Sequence, residues 1–110
     1  VGARADSQVG ARLDKLVQAA TVHAHGEDEE IAGLFAKVQK HLGMPFVTKV
    51  PGEEVKVIGV DLLVGGIVAI CARGSQRRTV GLLNLPLPTS APGGAEWIHA
   101  YRHWAGLAPQ

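Results

Sequence analysis

A chain of 110 residues, 46% hydrophobic and 19% charged, is one domain's worth of sequence, enough for one core and too little for two. Folding at this size buries about two-thirds of the unfolded surface, so neither a disulfide nor a structural metal is needed for stability. Eleven Lys and Arg against ten Asp and Glu leave a formal charge of +1, far from the basic balance of dedicated nucleic-acid or anionic-membrane binders.

The opening residues Val1, Arg4 and Asp6 lead into no uninterrupted apolar run, so no signal peptide is expected. Val9, Leu13, Leu16, Val17 and Ala20 form one helical stripe and predict a helix over about 7–23. Gly26 breaks it. The acidic run 27–30 then opens a second stripe of Ile31, Leu34, Phe35, Val38 and Leu42, closed by Gly43.

After Met44-Pro45-Phe46 the period changes to two. Strands are predicted from Phe46 to a Pro51-Gly52 turn, over 55–64, over 67–73, and over 79–85 after a Gly74-Ser75 turn. The stretch 57–72 is nearly all apolar but falls short of the roughly 20 residues that span hydrocarbon, and Gly65-Gly66 divides it. Two strands joined by a glycine turn explain it, and no membrane association is expected. Prolines and glycines over 86–94 make a connection to a last helix near 95–105, whose Trp97, Tyr101 and Trp104 share one face and anchor a core. The cysteine Cys71 has no second cysteine to pair with, and its apolar neighbours suit a buried, reduced thiol in a cytoplasmic protein. Two helices, a run of strands and a final helix predict an α+β fold with a small antiparallel sheet.

Several segments recur in a known order: the acidic helix start at 27–30, the helix ending in Met44-Pro45-Phe46, and the strand Val55-Lys56-Val57-Ile58-Gly59. Leu82-Leu83-Asn84-Leu85-Pro86-Leu87 follows as the end of a hydrophobic strand, then the closing helix from Trp97 to Trp104. In this order and approximate spacing, residues 22–107 resemble a small family of bacterial calcium-binding proteins, known mainly from an acidic cyanobacterial member. The resemblance implies that the sheet curls into an SH3-like partial barrel flanked by helices. It divides the single domain into an extra N-terminal helix over 1–24 and a family-like core over 25–107. Relatives carry an acidic loop after the Val-x-Val-x-Gly strand, whereas here 60–66 holds Asp61 as its one carboxylate. The expected function is a non-catalytic small binding protein whose calcium binding is weak or lost. No cofactor is required, and calcium is the candidate ion.

Calcium takes six to eight oxygens, and the cluster Glu27 to Glu30, chiefly Asp28, Glu29 and Glu30, with Asp61 or Glu53-Glu54 if the fold brings them near, could supply them. Acidic side chains in a first helical turn equally serve the helix dipole, at ~0.3–1 kcal/mol each. No D-x-D-x-D-G loop is present. His99 and His103 are four apart on a helix, and His23 and His25 are two apart, without the further ligands a zinc site needs. No G-x-S-x-G, Walker loop or dinucleotide fingerprint appears, so no enzyme is expected.

A reading of another class uses Arg73, Arg77 and Arg78, which straddle the Gly74-Ser75 turn and place guanidinium groups at one hairpin tip. That makes the chain an interaction module for an acidic protein segment, or less readily for nucleic acid. The N-terminal helix adds a last expectation. Its apolar stripe demands burial, and a homodimer in which Leu13 and Leu16 meet a second copy is the predicted solution.

Overall fold

Alternating apolar residues after Phe46 build a four-stranded antiparallel meander in the order β1-β2-β3-β4, and the helices lie before and after it in the chain. A computed structural model describes residues 2–106, with side chains over 9–106. The elements are α1 (Gly2–Thr21), α2 (Glu27–His41), β1 (Phe46–Val50), β2 (Glu53–Leu63), β3 (Gly66–Arg73), β4 (Gln76–Gly81) and α3 (Ala95–Trp104). The α+β expectation is met. The sheet is not closed, and β1 and β4 remain as its two edges. No helix among the described residues is long and apolar enough to cross a membrane.

One face of the sheet is buried. Thr48 and Val50 of β1, Val55, Val57 and Val60 of β2, and Ile67, Ala69 and Cys71 of β3 point into a core shared with Leu34, Val38, Ile98 and Tyr101 of the helices. Strict alternation cannot place both Val57 and Val60 inward. The β2–β3 register slips between Val57 and Gly59, a β-bulge that leaves Ile58 exposed and reverses the phase of the strand. Val57 then faces Cys71, and Val60 faces Ala69.

The N-terminal helix folds back on its own domain. It packs against both α2 and α3, and Leu13 is 6% exposed, buried by the same chain. The burial expected from a second copy is therefore supplied internally for Leu13, while Leu16 is half-buried against the same core. Close approach is possible because Gly33 of α2 lies against the backbone carbonyl of Ala20, where a side chain would clash. The imidazole Nε2 of His103 meets Asp14 Oδ1 at 2.7 Å, and Trp104 Nε1 donates to Glu30 Oε1 at 2.8 Å, so α3 is tied to both other helices.

The fourth strand ends at Gly81, four residues before the predicted boundary. Leu82 and Leu85 continue the apolar run of the strand, yet both are buried in a segment that leaves the sheet. Its main-chain groups are shared between β3 and α3. Leu82 N–H still donates to Ile67 O at 2.9 Å, but the Leu82 carbonyl accepts from Arg102 Nε and Nη2 at 3.1 and 3.0 Å. Ile67 N–H donates to the Tyr101 hydroxyl at 3.2 Å. Gly66, at φ 126, both adopts a conformation other residues avoid and leaves room for that hydroxyl.

Candidate functional site

The β3–β4 hairpin projects beyond the part of the sheet that the helices cover. Its two-residue turn, Gly74-Ser75, has Gly74 at φ 60, the positive value such tight hairpins require at their first central position. Arg73 follows Cys71 by two residues and Arg78 sits directly across from Cys71, so both belong to the core-facing side of the sheet. With nothing packed above them there, they line a groove of about 310 Å3 together with Glu53, Val55, Cys71, Gln76 and Arg77.

Charge in the groove is unequal. Three arginines and one carboxylate line it: Arg77 alternates to the other face of β4, while Arg73 and Arg78 lie on the same face of the sheet as Glu53, whose Oε1 meets Arg73 Nη1 at 2.6 Å. That pair is solvent-exposed, with side chains 59% and 43% accessible, and an exposed pair contributes little to stability. Arg77 folds its Nη1 onto the carbonyls of Gly74 and Gln76, at 3.2 and 3.1 Å. The Arg78 side chain makes no hydrogen bond or ion pair among the described residues. Burial pushes the Cys71 thiol up, against a smaller opposing pull from the Arg78 charge, which keeps the sulfur protonated and poorly nucleophilic.

The other candidates are not brought together. Among the described residues no three of His, Cys, Asp and Glu converge on a point that could hold a metal, so Asp28, Glu29, Glu30 and Asp61 form no common site. The reason is geometric: the acidic run forms the first turn of α2, where Glu29 accepts the His25 N–H and Glu30 holds Trp104, while Asp61 lies on β2. Of the histidine pair on α3, His103 turns to Asp14, and the Nδ1 of His99 is buried without a partner. The aromatic residues of α3 are structural. Tyr101 is buried and stacks on Trp104 with centroids 6.1 Å apart, and Trp97 stacks on His41 at 5.7 Å beneath Lys37.

The sequence points to the three arginines, and to Glu53 only as a candidate cation ligand; Glu53, Val55 and Gln76 join the arginines through pairing of β2 with β3 and β3 with β4. A signal was present: Glu53 opens the strand that a meander must place beside β3. Comparison of the chain with models of protein families, with curated proteins and with solved structures finds no match.

Proposed function

We propose that this chain is a non-catalytic interaction module that takes an acidic protein segment at its arginine hairpin. The observation that supports the reading is the groove at the hairpin, where Arg73 and Arg78 share a face with the one carboxylate, Glu53, and Arg77 adds a third cation on the same strand. Guanidinium groups offer forked donors matched to carboxylates. The Glu53–Arg73 contact supplies an internal example of how a carboxylate is received, and its exposure makes exchange for an external one inexpensive. Nucleic acid fits less well, because a net charge of +1 lacks the extended basic surface that tracks a phosphate backbone.

Fluorescence anisotropy of a labelled Glu-rich peptide at low and moderate salt tests the reading. Expected is salt-sensitive binding that a combined Arg73→Ala, Arg77→Ala, Arg78→Ala variant loses while its circular dichroism spectrum is kept. Equal binding by that variant, or tighter binding of duplex or single-stranded DNA than of the peptide, overturns it.

A further inference from the structure

We infer that the acidic segment docks as a fifth strand along the free edge of β4, an inference that rests on the acidic-partner reading above. The edge has a definite register. Leu82 N–H donates to Ile67 O, and the β3–β4 pairing places Ala69 opposite Val80, Cys71 opposite Arg78 and Arg73 opposite Gln76. In an antiparallel ladder hydrogen-bonded pairs alternate with pairs whose main-chain groups point away. Counting back from Leu82, residues Val80, Arg78 and Gln76 therefore direct their N–H and C=O groups to β3.

Arg77 and Thr79 direct theirs outward, where β4 has no neighbouring strand. Both residues are exposed. Further along, the Gly81 carbonyl accepts the Asn84 N–H at 3.0 Å, which closes the edge at that end. Two donors and two acceptors thus stand ready for an incoming chain, the arrangement used in strand-addition recognition.

The side chains say which chain is admitted. Arg78 lies on the groove side of the sheet and Arg77 on the opposite side, because successive residues of a strand alternate. An added strand alternates in the same way. A carboxylate beside Arg78, within the groove that Arg73 also lines, places the next residue's side chain on the Arg77 side. The fitting segment accordingly carries two consecutive acidic residues flanked by strand-forming ones. The same cations oppose pairing of β4 with β4 of a second copy, since like charges across a new strand pair repel. The edge is closed to its own kind and open to the opposite charge.

The test uses an acetylated, amidated octapeptide, Thr-Val-Thr-Glu-Glu-Val-Thr-Val, and two twins N-methylated on its odd or its even residues, all three of equal charge. A strand on β4 turns one alternate set of amides to the protein and the other to solvent. Expected is that one twin binds roughly tenfold weaker than the parent while the other keeps its affinity, from the loss of main-chain hydrogen bonds on one side only. Amide exchange at Arg77 and Thr79 is expected to slow in the complex. Arg78→Glu is expected to abolish binding of the parent peptide. Equal affinity of both twins, or equal binding of inorganic polyphosphate, overturns strand addition and leaves an acidic-segment site read by charge alone. Failure of all three peptides to bind overturns both readings.

Discussion

The guanidinium group of Arg102 holds the carbonyl oxygen of Leu82 with two nitrogens, at 3.1 and 3.0 Å, and reaches the Leu85 carbonyl with the second of them. The preceding residue on α3, Tyr101, takes the Ile67 N–H that Leu82 would otherwise have answered. Two adjacent side chains of a helix thereby end the β3–β4 ladder and set where the chain leaves the sheet.

Arg102→Met is expected to destabilise the fold by about 2–4 kcal/mol, since it removes charge-assisted bonds and leaves two part-buried carbonyls without donors. Arg102→Lys should recover only part of the loss, because an ammonium group lacks the forked geometry. Urea denaturation followed by tryptophan fluorescence measures both. A loss for Arg102→Met below about 0.5 kcal/mol would show that water replaces the guanidinium without cost.

Leu13→Ala is expected to cost about 2–4 kcal/mol, the usual range for emptying a buried leucine site. Because its own chain buries Leu13, the urea midpoints of the parent and of the variant should not change with protein concentration. Sedimentation equilibrium of the intact chain and of one beginning at Thr21 completes the measurement. A midpoint that rises with concentration would return the α1 stripe to a dimer interface.

Gly33→Ala tests the same packing from the other side. A methyl group there meets the Ala20 carbonyl, so α1 must shift, and the expected cost is about 1–3 kcal/mol despite alanine's better helix propensity. Trypsin cleavage at Arg12 or Lys15 should accelerate as α1 loosens. Unchanged cleavage with unchanged stability would mean the two helices are less intimately packed.

Stability should fall on mild acidification through His99. Burial lowers its pKa from the ordinary 6.5, reinforced by the Arg102 cation and partly opposed by Glu96. The unfolded chain then binds the proton more readily than the folded one. The contribution is complete above pH 6.5 and is lost as pH falls through the lower folded value. His99→Phe, which also removes the unpartnered Nδ1, should flatten the difference in unfolding free energy between pH 7.5 and 5. An identical pH slope in parent and variant would assign the dependence elsewhere.

Calcium supplies a final comparison. Calorimetric titration in low-salt buffer is expected to show no binding tighter than about 10 µM, the weak end of the sensor range. Tighter binding, lost on Asp28→Asn or Asp61→Asn, would mean that these carboxylates gather around the ion.

Local periodicity made much of this architecture legible. The stripes of α2 and α3 and the change of period after Phe46 follow from side chains that must share a face, so the element order could be read directly. The end of β4 could not, because Leu82 and Leu85 continue its apolar run and their carbonyls are taken up by Arg102, twenty and seventeen positions away. The bulge was written in the sequence but masked. Val55 and Val57 lie on odd positions and Val60 and Leu62 on even ones, yet a nearly continuous apolar run hides a change of phase. At the candidate site the arginines announced themselves by clustering around a turn, while Glu53 joined them only through strand pairing. Carboxylates at 27–30 and at Asp61 looked alike as potential ligands because composition carries no information about which element each will occupy.

The bulge at Ile58 makes β2 tolerant of one kind of genetic change and intolerant of another. Substituting Ile58 alters a single exposed side chain that lies outside the buried core. Deleting the residue restores an unbroken alternation, and the strand must then choose between keeping Val55 and Val57 inside or keeping Val60 and Leu62 inside. Either choice turns a pair of apolar side chains out of the core, at about 1.5–3 kcal/mol for each one fully exposed. Length, rather than identity, is what selection would have to guard at this position.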